Sequence, residues 1–342
     1  MKLRRVLAVG GLAAVAACSD NISSPDAHPN SEPSASVQQT DELQSPPIRI
    51  MKMRSSLALS PNDNANDQAK VGAATANSGI FYHGGPIIPL PKVVAIYWGT
   101  GTQAGGAIFQ GGPAPGTNGF GTGDNSLVGY FLNNLGSSPY WAINYTYTDG
   151  SGNRVAKSLG YSKFWAPGVE CSAPTSSPTD ANMQALIDCG IRAGKIAADL
   201  STVYAIFTPS GINLGGGFGS QYCAYHSWYT SSAAGGVVKY AAMPYNAQYP
   251  SGCVGQSGSP NGDYAADAEV NTLAHELEEA ATDALGTAWY DRRGYENADK
   301  CAWKWGTTFA SGGGVANMTV GSKNFLVQQN WKNVSGGGCF LN

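Results

Sequence analysis

Charge is scarce in this chain of 342 residues: 13% are Asp, Glu, Lys or Arg, and the formal net charge is -3. No basic cluster stands between residues 79 and 342. Nucleic acid is therefore not an expected partner, because binding it needs a concentrated positive patch. Histidine is scarcer still, at four residues, and no Cys-x-x-Cys pair occurs, which argues against a cysteine zinc site. No internal repeat is visible. No apolar run reaches the roughly 20 residues that a membrane-crossing helix needs. The run from Val6 to Ala17 has 12. The Gly-rich stretch Gly99 to Gly106 follows a strand-like segment, but no Lys-Ser/Thr follows it and no helix starts there, so a phosphate-binding loop is excluded. Gly211 to Gly219 reads as a flexible loop, with a lid over a cleft as the alternative.

What is present begins with a secretion signal. Met1 to Arg5 is basic, Val6 to Ala17 is apolar, and Ala16-Ala17-Cys18 has the small-residue pattern of a bacterial lipoprotein cleavage site. Cys18 is expected to be the lipid-modified first residue of the mature chain, which places the protein on a membrane by a lipid anchor, on its periplasmic or cell-surface face. Residues 19-78 are rich in Ser, Pro, Asn, Asp, Gln and Ala and nearly free of aromatics, so they read as a disordered tether. Within them only Ile48 to Leu59, with Arg49, Lys52 and Arg54, has any amphipathic pattern, and it reads either as a short helix or as no regular element. Residues 79-342 form one domain of ordinary size.

Removing Cys18 leaves Cys171, Cys189, Cys223, Cys253, Cys301 and Cys339, an even set suited to disulfides outside the cytoplasm. Joining neighbours in sequence pairs 171 with 189, 223 with 253 and 301 with 339. Val93 to Trp98, Val203 to Thr208, Tyr222 to Tyr229, Val237 to Pro244 and Asn324 to Gln329 read as strands, and Trp141 to Thr148 alternates like one. Asp124 is placed to cap a helix over Leu127 to Leu135, and Pro178-Thr179-Asp180 opens a second that runs to about Leu200.

The third helix carries the chemistry. Turning about 100° per residue puts Val270, Leu273, Ala274, Leu277, Ala281 and Leu285 on one apolar face. Asp263 stands at the N-cap and Gly286 at the stop, which bounds the helix at about 264 to 285. His275, Glu279 and Asp283 recur at i, i+4 and i+8 opposite the leucines, with Glu276 beside them. His275-Glu276-Leu277-Glu278-Glu279 has the form of the zinc-protease helix His-Glu-x-x-His with Glu for the second His. Two ligands one turn apart reach a single ion, and the Glu after the first stays free to take a proton from water. On that pattern His275 and Glu279 are metal ligands and Glu276 is the general base, with Asp283, Glu296 and Asp299 as further ligand candidates. The divalent ion expected first is zinc, with calcium and manganese as carboxylate-favouring alternatives. His226, His83 and Tyr290 are candidates for a further ligand or for stabilising an oxyanion. The plain alternative is a solvated helix face, with these His and Tyr side chains serving as packing residues.

In order along the chain, Phe81-Tyr-His-Gly-Gly-Pro, Val93-Val-Ala-Ile-Tyr-Trp, Tyr222-Cys-Ala-Tyr-His-Ser-Trp-Tyr, Ala274-His-Glu-Leu-Glu-Glu-Ala-Ala-Thr-Asp, Ala288-Trp-Tyr-Asp and Glu296-Asn-Ala-Asp-Lys-Cys resemble the plant phosphate-induced, or EXORDIUM, family and its bacterial relatives. The resemblance covers nearly all of 79-342. It implies a secreted protein on the cell-wall side, linked in plants to growth control, and brings no established catalytic residue with it. Plant members tend to carry Asn at the position of Asp283, so the resemblance favours Glu296 as third ligand. The lipoprotein signal, the tether and the Gly-rich insertions depart from the plant pattern. The expected architecture is α+β, a mostly antiparallel sheet packed against a few helices and stapled by disulfides, on a zincin-like plan. The expected function is a lipid-anchored, metal-dependent, peptidase-like hydrolase acting on extracellular peptide or another cell-envelope component. The alternative is a non-catalytic surface protein that binds envelope polysaccharide through Trp141, Trp165, Trp228 and Trp289, with a structural metal or none.

Overall fold

Lys92–Tyr97 shows why its strand is central: five apolar residues follow one another with no polar face, a pattern that only a strand covered on both sides tolerates. The structure, a computed structural model, describes residues 49-52, 79-99 and 106-342. Cys18, the signal segment and most of the expected tether lie outside the described residues. So does part of the Gly99 to Gly106 loop.

The strands of the main sheet are β1 (Arg49–Lys52), β3 (Lys92–Tyr97), β4 (Gly119–Gly121), β5 (Gly160–Ala166), β6 (Thr202–Phe207), β7 (Tyr222–Ser231) and β8 (Gly236–Met243). Two shorter strands, β2 (Phe81–Tyr82) and β9 (Trp289–Tyr290), pair with each other beside it. The sheet order is β1-β7-β8-β6-β3-β5-β4. Its middle, β8-β6-β3-β5, is parallel, and both flanks are antiparallel. The remaining small two-stranded sheets are all antiparallel, so antiparallel pairing predominates over the molecule.

Alternation along the strands makes two apolar layers. Val93, Ala95 and Tyr97 of β3 join one layer, and Val94 and Ile96 join the other. The first layer is closed by helices α1 (Leu127–Leu135) and α3 (Tyr264–Thr282), the second by α2 (Asp180–Arg192) through Met183, Leu186 and Ile187. Val270, Leu273, Ala274, Leu277 and Ala281 of α3 all enter the first layer, as the periodicity requires. The architecture is α+β, with the three disulfides Cys171–Cys189, Cys223–Cys253 and Cys301–Cys339. Such bonds fit an oxidising, extracytoplasmic compartment. Among the described residues no helix is long and apolar enough to cross a membrane.

Several local expectations are corrected. Trp141–Thr146 is a 3-10 helix: the successive residues Ile143 and Asn144 are both buried along with Trp141, which the alternation of a strand does not allow. Helix α1 is capped by Ser126, whose side chain accepts from Gly129 N at 2.9 Å, while Asp124 instead accepts from Ser126, Tyr97 and Tyr161. Helix α2 stops at Arg192, since Gly194 turns the chain at φ 67°. Helix α3 ends at Thr282. The strand expected over Asn324 to Gln329 is confined to Lys323–Phe325. Arg49–Lys52, inside the stretch read as a tether, is the edge strand β1.

Candidate metal centre

The N-terminus of α3 is fixed by Asp263, whose Oδ1 accepts from Ala266 N at 3.1 Å and whose Oδ2 accepts from Gln110 N at 2.8 Å. At the other end Asp283 N donates to Glu279 O, Ala288 N donates to Asp283 Oδ1 at 2.5 Å, and Gly286 turns at φ 62°. The helix is thus held at both ends, and every residue from Ala266 to Thr282 is buried. The acidic stripe does not face solvent. His275, Glu276 and Glu279 are 0% exposed, so the solvated-face alternative is overturned.

Three elements meet at that stripe. Helix α3 contributes His275, Glu276 and Glu279, β7 contributes His226, and the segment after β9 folds back with Glu296 and Asp299. His226 Nδ1 lies 2.9 Å from Glu276 Oε2 and 3.6 Å from Glu279 Oε2, and its Nε2 lies 3.8 Å from Glu296 Oε1. His275 Nε2 lies 3.0 Å from Glu279 Oε1 and 3.6 Å from Asp299 Oδ1. Glu279 is shared between the two sets. Asp299 N donates to Glu279 Oε1 at 2.9 Å, which ties the returning segment to α3, and Lys300 N donates to Glu296 O at 3.2 Å within that segment. The Cys301–Cys339 disulfide secures the end of the same segment.

Two imidazoles and four carboxylates in a site with little access to solvent are a costly collection unless something neutralises them. Protons do part of this. Burial disfavours the charged imidazole of His275, but Glu279, Glu276 and Asp299 outweigh it and hold its pKa up at about 10. Burial raises the Glu276 carboxyl, against the pull of His226 and His275. Burial and then the charge of Glu279 push Asp299 well above the usual carboxylate range. For Glu279 burial is the largest single influence and acts upward, yet the two imidazoles and the Asp299 amide together carry it below its ordinary value.

Hydrogen bonding completes less of the site. His275 Nδ1 and Nε2, His226 Nε2, Glu276 Oε1 and Glu279 Oε2 are buried without a hydrogen-bond partner, even though some stand within 4 Å of an opposite charge. Groups that close in on a common point without aligning on one another are arranged as ligands are. Two sets satisfy that geometry, His226-Glu276-Glu279 and His275-Glu279-Asp299.

The other expected residues have other surroundings. Asp283 caps the end of α3 and belongs to neither set. Tyr290 is in β9, its ring stacked on His83 at 3.6 Å. Trp141 and Trp165 are fully buried, which removes them from any binding platform, and the Trp289 indole donates to Thr148 O. Sequence reasoning missed three more buried acids on α3, Asp267, Glu269 and Glu278. Glu278 Oε2 accepts from Tyr140 OH at 3.1 Å, and Glu269 Oε2 accepts from Asn246 N and Nδ2. Burial carries Glu278 well above the carboxylate range and Glu269 up to about 8. Their place on the remaining sides of α3 signals a helix with no wet face.

The phosphate-induced protein 1 conserved region matches residues 136-325. The chain belongs to the phosphate-induced protein 1 family. In this EXORDIUM family member the matched span holds all six residues of the centre, from His226 to Asp299. No curated protein and no solved structure matches the chain.

Proposed function

We propose that this family member is an extracytoplasmic, divalent-cation-dependent hydrolase, a peptidase before an amidase, tethered to a bacterial membrane through Cys18. The observation that carries the reading is the placement of Glu276. Its Oε2 is held by His226 Nδ1 at 2.9 Å, its Oε1 is buried without a hydrogen-bond partner, and the set it belongs to, His226-Glu276-Glu279, shares Glu279 with the His275-Glu279-Asp299 set.

In this reading His275, Glu279 and Asp299 hold the ion, and Glu296 supports the His226 side. One imidazole with two carboxylates is a donor set that zinc accepts and that also suits manganese, whereas calcium prefers oxygen ligands alone. The ion supplies Lewis acidity, which makes water acidic enough to attack near neutral pH. Glu276 takes the proton at Oε1, and its raised pKa suits a base that must later return it to the leaving group. His226 fixes the carboxylate's direction, so the base does not have to reorganise during the step. What the reading shares with zinc hydrolases is a His-Glu pair followed, one turn after the His, by a second ligand on the same helix, here Glu279 in place of His.

A second reading, an enclosed structural ion in a non-catalytic surface protein, is favoured by burial: His226, His275, Glu276, Glu279 and Glu296 are each at most 1% exposed. Assay of the zinc-loaded full chain against a mixture of unstructured peptides separates the two. Cleavage that disappears in Glu276→Gln with bound metal unchanged supports the hydrolase. No cleavage, together with a thermal midpoint that falls on chelation, supports the enclosed ion.

A further inference from the structure

Strand β7 carries His226, and on its outer side stands a strand that comes from far up the chain. Arg49–Lys52 pairs antiparallel with β7, placing Arg49 opposite His226, Ile50 opposite Tyr225 and Met51 opposite Ala224, with an irregularity before Lys52 reaches Tyr222. Among the described residues β1 pairs with no other strand, and residues 53-78 separate it in sequence from the rest of the domain. Helix α3 packs against β1 as well as against β7.

The contacts of β1 are those by which a sheet edge captures a peptide: main-chain pairing for affinity, and particular side-chain positions for selectivity. Met51 is 0% exposed. The Lys52 ammonium lies 4.7 Å from the centre of the Tyr295 ring and donates to its hydroxyl at 3.2 Å, and Trp303 Nε1 donates to Lys52 O at 2.9 Å. Tyr295 directly precedes Glu296, so the groups that grip β1 belong to the segment that closes the metal centre. Without β1, the part of β7 from Tyr222 to His226 would present unpaired N–H and C=O groups at the sheet edge.

We propose that the β7 edge is a binding site for extended peptides, and that β1 is its occupant in cis, closing the site until it is displaced. The peptide taken in its place runs antiparallel to β7, with a long apolar residue where Met51 sits and a lysine or arginine next to it. The inference names the substrate class of the hydrolase reading and rests on that reading for its purpose, although binding at the edge requires no chemistry.

The test uses the full chain and a fluorescent peptide with the sequence of residues 47-54. Met51→Asp places a charge in the apolar position of β1 and releases the strand. Lys52→Glu serves as a milder release. The expected result is binding at least about tenfold tighter to the released chains than to the parent, whose edge is filled. The same peptide carrying Asp in place of Met51 is expected not to bind. Released chains that keep the parental circular dichroism but bind no tighter overturn the proposal. So does global unfolding of both variants, which would make β1 an integral strand. Binding is read with EDTA and again with zinc. Peptide that binds but is not cleaved by the zinc-loaded released chain sustains the edge site and counts against the hydrolase reading alone.

Discussion

His275 Nε2 lies 3.0 Å from Glu279 Oε1, one turn apart on α3, without making a hydrogen bond to it. An i, i+4 pair on a wet helix gains a few tenths of a kcal/mol and is free to align. Here both residues are fully buried, and Asp299 Oδ1 lies 3.6 Å from the same Nε2. A cation between them would take the place of the proton that the neighbouring carboxylates otherwise hold on His275.

The buried Glu269 gives the protein a pH dependence separable from the metal centre. Its folded pKa, about 8, stands above the ordinary 4.5, so the folded chain holds a proton that the unfolded chain releases. The stabilisation is complete below about pH 4.5 and is lost as pH rises towards 8, amounting to at most roughly 5 kcal/mol. Urea midpoints of the parent and Glu269→Gln, measured in EDTA at several pH values, are expected to diverge across that window, with the variant the flatter of the two.

Removing the Cys301–Cys339 disulfide is expected to act on both stability and the site. The bond spans a sequence separation of 38, and closing a loop of that length contributes about 4 kcal/mol in the chain-entropy model. Cys301 lies two residues beyond Asp299, so the paired serine variant is expected to bind zinc more weakly, as well as to unfold at lower denaturant. Competition with a coloured chelator reads the first effect and guanidinium titration the second.

Gly190 is a packing requirement. A Cβ there would stand 2.5 Å from Trp165 Cζ3 and 3.1 Å from Ile196 Cδ1, and Trp165 is 0% exposed and unable to yield. Gly190→Ala, a gain in helix propensity on an exposed helix, is therefore expected to lose about 1–3 kcal/mol by thermal or chemical denaturation.

What the sequence disclosed and what it concealed follow one line. The α3 helix, its Asp263 cap and its leucine face were legible because period 3.6 and capping are local. The strands β3, β6, β7 and β8 were legible as apolar runs, and the disulfides joined sequence neighbours. The Trp141–Thr146 turn was misread because alternation over a few residues also fits a 3-10 helix with both aromatic neighbours buried. β5 escaped notice, since Gly160-Tyr-Ser-Lys-Phe-Trp-Ala has neither an apolar run nor clean alternation.

The site was half legible for the same reason. His275, Glu276 and Glu279 carry a local spacing, whereas the approach of His226 at a separation of 50 residues is decided by the sheet order. Nothing local marks the polar side of α3 as dry either. That side is dry because β7 and the segment bearing Glu296 and Asp299 both close upon it.

Metal content is the measurement that bears most directly on the centre. Purified full chain, dialysed against chelator and reloaded separately with zinc, manganese and calcium, is compared with Glu279→Ala and Glu276→Gln by elemental analysis. One tightly held ion per parent chain, lost in Glu279→Ala and retained in Glu276→Gln, is the predicted result. A parent chain that retains none of the three ions would contradict the centre and leave its buried charges to protons alone.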